Sequence, residues 1–538
     1  MKKYSIIGIF IFAIFLRLWN LNQMGRTWDE EFYVERAYTY IDLIKKGDFT
    51  NSYWYRNEAS GFPPVSKYLY GITSILDIQN FDSNGKAIFN YDYTYARLLS
   101  VLFSCGSVIL VVLLGWKFIS PTVGVISGII LAMLPIFMGF SQLATLESLI
   151  VFFFTATIFS FLNFLTRFSI RNILFTGFLL GLALGIKYTN ILLVPLMIWI
   201  FFIFYFHNIK NKDLFKKYIY SIIAIFAVAL ITFFVIWPMP WFHLNEVIAF
   251  NKNLRYSPYS VPEVFFGKLI LIPKVYYFVY FLITTPLGIL ILFLLGLKSI
   301  SNRNLLNITK SKFKITKFIY EFFFFIYNKT SKKNKLITRN AWVLYALVAW
   351  FIFPFIQSIY NYKQHGIRYI IEIYAPLALI TAVGFEYLVC SLPKFKYIRL
   401  ILTFTLITYL LIVIVHISPY YLDYFNIFVG GAKNVYEKRM FQLGSWGQGV
   451  REAAYYVKKN AVAGSTIGIA ISPSHVMPPL PQMRVEKYNP KGQYNYVIVN
   501  LYNVLREGFD DSKIKKEYDL IFTVKADGAE LVYVYQYK

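Results

Sequence analysis

The sequence predicts a mostly α-helical protein that crosses a membrane many times and carries a small α/β domain at its C-terminal end. Hydrophobic residues make up 57% of the 538 residues, and the mean hydropathy is +0.52, whereas soluble proteins contain roughly 45–50% apolar residues. Apolar runs of about 20 residues, enough to cross a bilayer as a helix, recur along the chain. After residue 417 they give way to short strand-like segments.

Eleven apolar runs have the length expected of membrane-spanning helices. The first run is predicted to be a span and not a cleavable signal peptide, because no small-residue cleavage site follows it. The predicted spans lie near residues 4–20, 97–116, 121–140, 148–166, 172–188, 190–206, 218–237, 276–297, 341–360, 369–390 and 399–417.

The basic residues indicate how the chain is oriented in the membrane. The formal net charge is +26, and Lys and Arg collect in alternate loops, above all in the segment 298–340. Because short cytoplasmic loops are enriched in Lys and Arg, we predict that the N-terminus lies inside and the C-terminus outside. This distribution explains the basicity without a nucleic-acid partner, and the 298–340 loop is expected to meet anionic lipid head groups.

Three long segments are predicted on the outer side of the membrane. They are the first outer loop, 21–96, a second loop, 238–275, and the C-terminal residues 418–538. In the last of these a helical stretch at 450–461 precedes strand-like runs at 466–472, 494–500, 520–524 and 530–537. We therefore divide the chain into a transmembrane domain, 1–417, and an extracytoplasmic α/β domain, 418–538.

The first outer loop begins with two adjacent acids, Asp29 and Glu30. Carboxylates at a membrane surface are costly unless they have a partner or a function. A structural explanation is also available, because Thr27 and Glu30 have the spacing of a helix capping box and the next residues repeat with a helical period up to Gly47. The sequence predicts an amphipathic helix over 28–46, with its two acids either in a site or as first-turn charges.

Glu147 is a third acid on the same predicted side. It lies at the outer end of the fourth span, just after Thr145. Thr145 is placed to cap that helix, and an acid in the first turn is favourable there. Glu147 is therefore either a helix-end charge or a partner of Asp29 in one outer site.

Basic residues also collect on this outer side. They are Lys67 in GFPPVSKYLYG, Arg97 at the start of the second span, and His365 and Arg368 in YKQHGIRY. Lys187 lies near the outer end of the fifth span. Each residue alone is typical of a cation that reaches toward the membrane interface. Together with the acids, these residues predict a site that handles a charged head group.

Several short motifs resemble those of GT-C class glycosyltransferases, in the protein O-mannosyltransferase family and its prokaryotic relatives. The segments are the Asp29-Glu30 pair, PPVSKYLYG, YARLLS, TLESL, HGIRYIIEIYAPLAL and PYYLDYFNIFVGG with SWGQGV. The chain departs from the family pattern at Phe62, where His is frequent, and at Glu147 and Ser445, where Asp is common. The resemblance extends over residues 1–460, and the eleven predicted spans agree with it.

The resemblance implies transfer from a polyprenyl-phosphate sugar, dolichyl-phosphate mannose first, to a Ser or Thr hydroxyl of a protein. Asp29 would be the general base and Glu30 would position the acceptor. Arg97 would stabilise the leaving phosphate. Secondary candidates for the phosphate are Lys67, His365 and Arg368, and Glu147 is an additional acid. Attack from the face opposite the phosphate would invert the anomeric centre.

No cofactor is predicted. The chain has no Walker or G-x-G-x-x-G element between a strand and a helix. Its two cysteines, Cys105 and Cys390, lie in apolar runs and form no metal-binding pattern. We predict no obligatory metal ion, and the alternative is a divalent ion held by Asp29 and Glu147.

Two alternatives stay open from the sequence. The first alternative stays within the same class: the acceptor is a lipid or a cell-wall glycan, as in aminoarabinose transfer to lipid A, or the sugar is not mannose. The second alternative lies outside the class and is a transporter. Transporters, however, tend to hold charges near the midplane of the membrane and to contain inverted repeats. In this chain the charges are predicted at one face of the membrane, and no repeat is visible.

The expected location of the protein is the cytoplasmic (plasma) membrane, with the active site facing outward.

Overall fold

The computed structural model describes residues 2–54, 63–208, 211–246, 248–249, 262–271, 273–301, 340–359, 366–392 and 397–538. Most of the predicted cytoplasmic loop 298–340 and the candidate His365 lie outside these residues. The helices of the described part are α1 (Lys2–Leu18), α2 (Glu30–Lys46), α3 (Val65–Ser74), α4 (Thr94–Phe118), α5 (Pro121–Met133), α6 (Pro135–Ser141), α7 (Leu146–Thr166), α8 (Ile170–Ile186), α9 (Leu193–Asn208), α10 (Lys212–Ile236), α11 (Met239–Phe242), α12 (Tyr276–Thr284), α13 (Leu287–Ser301), α14 (Ala341–Ser358), α15 (Tyr374–Ser391), α16 (Ile398–Ile417), α17 (Gly431–Glu437), α18 (Val450–Asn460), α19 (Leu501–Leu505) and α20 (Ser512–Glu517).

The protein is mostly helical, as predicted, and many of its helices are long and apolar enough to cross a membrane. Within the described residues seven helices meet this criterion, or up to nine if the bent pairs α5–α6 and α12–α13 each count as one span. With the two shorter apolar helices α1 and α8, the described residues contain eleven apolar helical units. These eleven units coincide with the eleven predicted runs. The number of spans and the inside–outside orientation stay predictions.

The two bent pairs were not predicted, and both bend at a proline. The axes of α5 and α6 differ by 67°, and those of α12 and α13 by 113°. Leu134, before Pro135, and Thr285, before Pro286, have extended ψ angles of 119° and 131°. A proline disfavours the helical conformation of the preceding residue, which explains the position of each break.

Helices α13 and α15 pack with their backbones in close contact. A Cβ atom placed on Gly384 would lie 1.8 Å from the carbonyl oxygen of Leu292, and one on Gly296 would lie 2.1 Å from that of Ile380. Small residues allow such an approach between membrane helices. The two glycines therefore set the distance between α13 and α15.

The first outer loop folds into α2, α3 and a hairpin of β1 (Ile78–Phe81) and β2 (Ala87–Phe89). Helix α2 ends at Gly47 with φ 66°, as predicted, and begins at Glu30, two residues later than predicted. A second hairpin, β3 (Glu263–Phe265) and β4 (Lys268–Ile270), lies in the second outer loop. Neither hairpin was predicted, because strands of three or four residues show too little alternation.

The C-terminal segment forms a mixed five-stranded sheet. Its strands are β5 (Thr466–Ala470), β6 (Arg484–Lys487), β7 (Tyr496–Asn500), β8 (Tyr518–Ala526) and β9 (Ala529–Tyr537), in the spatial order β6-β5-β7-β9-β8. Strand β5 is parallel to β6 and β7, and β9 is antiparallel to β7 and β8. The helix α18 and four of the strands were predicted. The edge strand β6 was missed, since three of its four residues are charged.

The C-terminal segment contacts the first outer loop through polar side chains. Arg451 Nη1 donates to the Asn22 carbonyl at 2.6 Å, and Arg451 Nη2 lies 3.1 Å from Asp92 Oδ2. The Tyr91 hydroxyl donates to the Val476 carbonyl at 2.5 Å. These contacts join two regions that are more than 350 residues apart in sequence. They place the C-terminal segment beside the loop that carries the candidate acids.

The close approach of α13 and α15 gives a stability prediction. Gly384→Ala is expected to lower the free energy of unfolding by about 1–3 kcal/mol or more, because the added methyl group meets backbone atoms that cannot rotate away. Gly8→Ala in α1 is the matched control, since a Cβ there meets no atom within 4 Å. The apparent melting temperature in detergent should fall only for Gly384→Ala. Equal melting temperatures for both variants would contradict the packing.

Candidate active site

The start of α2 is organised by the Glu30 carboxylate. The Thr27 N–H and the Thr27 hydroxyl both donate to Glu30 Oε2 at 3.0 Å. The bond from the Glu30 carboxylate back to the Thr27 N–H is one half of the predicted capping box. The other half does not form, because the Thr27 hydroxyl binds the Glu30 carboxylate and not a main-chain N–H. The side chain of Asp29, immediately before α2, makes no capping hydrogen bond. The Glu30 side chain is thus bound at the start of the helix, whereas the Asp29 side chain takes no part in capping it.

Glu30 and Arg97 form a fully buried ion pair. Arg97 Nε donates to Glu30 Oε1 at 2.7 Å, and Arg97 Nη2 donates to Glu30 Oε2 at 2.6 Å. Neither side chain has exposed surface. Arg97 also donates to the carbonyls of Leu21 and Gly25, and the Ala144 N–H donates to Glu30 Oε1 at 2.9 Å. The pair therefore connects α2, α4, the end of the first span and the α6–α7 turn.

This geometry does not support the roles predicted for Glu30 and Arg97. A donor phosphate would have to break a buried pair that is already saturated with hydrogen bonds, and an acceptor would have to reach a carboxylate without exposed surface. Removing one partner of a buried ion pair is strongly destabilising. We interpret Glu30 and Arg97 as the pair that fixes the loop carrying Asp29.

Asp29, Glu147 and Arg368 meet in a second charged cluster. Arg368 Nη2 lies 2.6 Å from Asp29 Oδ2, and Arg368 Nε lies 2.5 Å from Glu147 Oε1. The Glu147 side chain is fully buried and that of Arg368 is 6% exposed, whereas that of Asp29 is 25% exposed. Of the predicted site residues, the structure brings these three together. One guanidinium bridges two acids, and of these two acids only Asp29 has exposed side-chain surface.

All three members of the cluster lie at helix ends. Asp29 precedes α2, Glu147 is in the first turn of α7, and Arg368 is in the short turn before α15. The predicted cap of α7 by Thr145 is wrong, because its hydroxyl makes no capping hydrogen bond and is buried without a partner in the described part of the chain. The start of α7 thus has no side-chain cap from Thr145, and Glu147 in its first turn is bound by Arg368.

Aromatic residues surround the cluster. The Arg368 guanidinium carbon lies 4.5 Å from the centroid of the Trp446 indole, and Lys187 Nζ lies 4.5 Å from the centroid of the Tyr369 ring. Both distances are those of cation–π contacts. Burial and the nearby Asp29 carboxylate raise the pKa of Tyr33 well above its usual value. The cluster is therefore shielded from bulk water on several sides.

Lys67 lies away from this cluster, in contrast to the prediction that it joins the donor site. Its Nζ donates to the Tyr40 hydroxyl at 3.0 Å and lies 4.5 Å from the centroid of that ring. Tyr40 follows Asp29 by eleven residues on α2, which is about 16 Å along the helix axis. Burial, with a smaller effect of Arg36, lowers the pKa of Lys67 to about 7. Lys67 thus belongs to an aromatic cluster at the far end of α2.

A divalent ion on Asp29 and Glu147, the alternative to a metal-free site, would compete with Arg368 for the two carboxylates. Both carboxylates are bound by Arg368. Over the described ranges, three or more His, Cys, Asp or Glu side chains nowhere come together in a way that would hold a metal ion. His365, the other proposed phosphate ligand, lies outside the described residues.

Sequence reasoning missed the part of the site that comes from the C-terminal segment. His475 Nε2 donates to the Trp28 carbonyl at 3.0 Å, and His475 Nδ1 lies 3.5 Å from Glu31 Oε2. Trp28 also packs edge to face on Tyr502, at a centroid distance of 5.8 Å. The only sequence signal for these contacts was the SWGQGV motif, which drew attention to the region but not to Trp446. Nothing in the local pattern around His475 marks it.

The cluster combines two chemical capacities. A partly exposed carboxylate can accept a proton from a bound hydroxyl group. A guanidinium beside it can bind a phosphate and stabilise negative charge on a leaving oxygen. Asp29 and Arg368 supply both within one hydrogen-bond distance. This arrangement suits the transfer of a group from a phosphate to a hydroxyl.

A family model described as dolichyl-phosphate-mannose-protein mannosyltransferase matches residues 7–252. The matched region contains Asp29, Glu30, Arg97 and Glu147 and ends before Arg368. It confirms the resemblance to this family over somewhat less than half of the chain. No curated protein matches the chain.

The structure of ArnT from Cupriavidus metallidurans in the apo state aligns with 99% of this chain and 98% of its own, at a TM-score of 0.51 and 12% identity. This likeness shows that the two chains share a fold. The protein O-mannosyltransferase Pmt1-Pmt2 complex of S. cerevisiae, bound to the sugar donor, matches 46% of this chain at 19% identity and a TM-score of 0.36. This chain covers 34% of that one, about a third of its length. The apo oligosaccharyltransferase of Archaeoglobus fulgidus aligns with 91% of this chain and 62% of its own, at a TM-score of 0.48 and 13% identity.

The buried pair predicts that Glu30 is needed for folding and not for chemistry. Glu30→Gln leaves the Arg97 charge uncompensated, and we expect it to reduce the free energy of unfolding by about 3–5 kcal/mol. The measurement is the yield of monodisperse protein and its melting temperature in detergent. Asp29→Asn, which changes a partly exposed neighbour, is the control and should fold normally. A Glu30→Gln variant as stable as wild type would return Glu30 to the list of catalytic candidates.

Proposed function

We propose that the protein transfers a sugar from a polyprenyl-phosphate donor to an acceptor hydroxyl at the outer face of the membrane. Mannose is the first choice of sugar, and a protein Ser or Thr is the first choice of acceptor. The observation that carries the proposal is the partly exposed Asp29 carboxylate on the guanidinium of Arg368, which also binds the buried Glu147. The family match and the fold support a membrane glycosyltransferase with a lipid-linked donor.

The reaction follows from these two groups. The acceptor hydroxyl gives its proton to Asp29 while its oxygen forms a bond to the anomeric carbon of the sugar. The bond from that carbon to the phosphate oxygen breaks, and polyprenyl phosphate leaves with the electron pair, stabilised by Arg368. Attack from the face opposite the phosphate inverts the anomeric centre. The polyprenyl chain stays in the bilayer throughout.

The phosphate-binding role thus passes from Arg97 to Arg368. Arg368 already contacts Asp29, the proposed base, whereas Arg97 is enclosed with Glu30. Lys187, which lies over the ring of Tyr369 next to Arg368, adds a second positive charge nearby. Because Arg368 supplies the cation, the proposal requires no metal ion, and a divalent ion on Asp29 and Glu147 is the alternative.

The second candidate is transfer to a lipid or glycan acceptor. The chain aligns with ArnT over nearly the full length of both proteins, C-terminal segment included, whereas it covers only 34% of the Pmt1-Pmt2 chain. A transporter is disfavoured, because the cluster lies at helix ends and transporters place such charges near the midplane.

Asp29→Asn tests the proposed base. We expect transfer of radiolabelled mannose from dolichyl-phosphate mannose to a Ser/Thr-rich peptide to fall by about 10²–10⁴-fold, the usual contribution of a general base. The assay uses purified full-length protein in detergent. Asp42→Asn is the matched control on the same helix, where Asp42 forms only a surface pair with Lys46, and it should retain activity.

Each outcome of this assay has a distinct meaning. Transfer that survives in Asp29→Asn would refute Asp29 as the base and direct attention to Glu147. A wild-type protein that transfers to a lipid or glycan but not to the peptide would favour the second candidate. Absence of transfer from any polyprenyl-phosphate sugar would contradict the proposed function itself.

Arg368→Gln tests the proposed phosphate ligand. Alone it leaves Glu147 buried without a cation, so we expect less folded protein. Adding Glu147→Gln removes that charge, and the double variant should recover the wild-type melting temperature. Its kcat should nevertheless stay about 10²–10³-fold low, because no guanidinium stabilises the leaving phosphate. A double variant that is both folded and fully active would show that Arg368 only holds the fold together.

A further inference from the structure

The β3–β4 hairpin of the second outer loop has one buried strand and one exposed strand. All three residues of β3 are buried, whereas all three residues of β4 are exposed. The exposed side chains are large and apolar: Leu269 is 51% exposed, and Leu271, just after the strand, is 57% exposed. An apolar edge strand is a liability when it stays uncovered, because it pairs with other chains and aggregates. Strand β4 is therefore expected to meet a partner that is not part of the described chain.

The inner side of the hairpin is held by the C-terminal segment. Arg506 Nε donates to the carbonyl of Pro262, just before β3, at 3.2 Å. In the turn, the Gly267 N–H donates to the Met440 carbonyl at 3.1 Å. Strand β3 also forms an isolated antiparallel bridge to Phe441. These contacts fix the hairpin with β3 toward the C-terminal segment and β4 exposed.

The turn of the hairpin holds an aromatic residue in a conformation that such residues rarely adopt. Phe266 and Gly267 join the two strands with φ angles of 49° and 77°. Two left-handed residues in a two-residue hairpin turn favour Asn and Gly, and a bulky side chain there is strained. The Phe266 ring lies 4.9 Å from the centroid of Phe441, yet Phe266 stays 55% exposed. This outlier points to a function of the exposed part of the ring.

The hairpin leads into a helix of the predicted membrane domain. Helix α12 begins at Tyr276, five positions after Leu271, and it forms with α13 one of the bent pairs that are apolar enough to cross a membrane. On α12, Phe278 is 55% exposed. Two exposed lysines, Lys268 and Lys274, accompany the apolar residues of this stretch. Exposed apolar residues thus continue from β4 onto a helix that is expected to contact lipid.

A second exposed apolar turn lies at the other end of α12. The Asn426 side chain donates to the Thr285 carbonyl at 2.7 Å, at the bend between α12 and α13. The next two residues, Ile427 and Phe428, are 74% and 64% exposed. Contiguous exposed apolar residues mark protein or membrane contacts. Such residues therefore lie at both ends of α12.

We propose that the β3–β4 hairpin and the Ile427–Phe428 turn lie in the interfacial layer of the outer leaflet and hold α12 there. Phe266 and Leu269 would enter the upper part of the acyl chains, and the two lysines would meet lipid phosphates. A second copy of the chain is a less suitable partner, because a symmetric contact would bring the lysines of two hairpins together. The inference goes beyond the proposed function, since it involves no group of the Asp29–Arg368 cluster.

The open edge of β4 limits how deep the hairpin lies. In the part of the chain that the structure describes, β4 pairs with β3 alone, in a sheet of two strands. Its outer edge therefore presents main-chain N–H and C=O groups, which the hydrocarbon core cannot satisfy. The head-group layer contains water and phosphates that can satisfy them, and apolar side chains enter the acyl boundary from there. The expected depth is the interface and not the bilayer centre.

The test measures the depth of a fluorescent label at position 269 in the full-length protein, reconstituted in vesicles of phosphatidylcholine and phosphatidylglycerol. Leu269→Cys is combined with Cys390→Ser, because Cys390 is exposed and Cys105 is buried, and the thiol carries bimane. Three quenchers are compared: lipids with a nitroxide near the head group, lipids with a nitroxide near the chain end, and iodide on both sides of the membrane.

The matched control is the same label at position 462. Val462 is apolar and 78% exposed, and it precedes β5, whose other end leads to the residues that contact the first outer loop. The head-group nitroxide should quench the label at 269 several-fold more than the label at 462, and iodide should quench it several-fold less. A label introduced by Ile427→Cys should behave like that at 269, and this result does not depend on the hairpin.

Phe266→Asn isolates the aromatic anchor. Asn readily adopts the left-handed conformation, so the turn is kept, and the melting temperature in detergent reports on the fold. The variant should lower lipid quenching at position 269 about twofold or more, because the apolar tip is lost. Unchanged quenching in a folded variant would refute the role of Phe266.

Four other results would overturn the proposal. One is iodide quenching at 269 or 427 equal to that at 462. Another is shielding from iodide and from both lipid quenchers, which would indicate a contact with protein such as a second copy. Stronger quenching by the chain-end nitroxide would contradict the interfacial depth. Lipid quenching that appears only after dolichyl phosphate is added would assign the hairpin to the donor and not to the bilayer.

Discussion

The site depends on one buried interaction, the ion pair of Glu30 and Arg97. A carboxylate and a guanidinium that are both removed from solvent hold each other strongly, since each would be costly alone. The Glu30 carboxylate also accepts a hydrogen bond from the Ala144 N–H, so the N-terminal ends of α2, α4 and α7 are fixed relative to one another. Asp29 is the neighbour of Glu30 in sequence. The position of Asp29 in its own cluster therefore depends on the buried pair.

The second level of organisation is the sharing of Arg368 by two acids in different surroundings. Glu147 is fully buried, so its contact with Arg368 holds the guanidinium from below. Asp29 is a quarter exposed, so its contact with the same group is the one that a ligand can replace. In the proposed function, this contrast allows Arg368 both to stabilise the fold through Glu147 and to bind a phosphate in place of Asp29. Trp446 adds to this arrangement, because its indole packs on the Arg368 guanidinium.

The fold was largely predictable from the sequence, and the site only in part. Hydropathy located the eleven long apolar helical units of the described residues, because a segment that suits a bilayer leaves a strong apolar signal over about 20 residues. The same reasoning placed Asp29, Glu147 and Arg368 on one side but could not separate Glu30 from Asp29. Adjacent residues on a helix point in different directions, and only the fold decides which one turns inward. The contact of Trp446 with Arg368 was missed because it joins residues far apart in sequence and becomes visible only once the chain is folded.

The contacts of the C-terminal segment with the first outer loop bear on how such a protein comes to work in a cell. Asp29 is synthesised first, Arg368 follows after more than 330 further residues, and His475 and Arg506 follow later still. A partly synthesised chain contains Asp29, the proposed base, without Arg368, and the first outer loop without its contacts to the C-terminal segment. In the proposed function, the site is therefore complete only after residues from all of these segments have been synthesised.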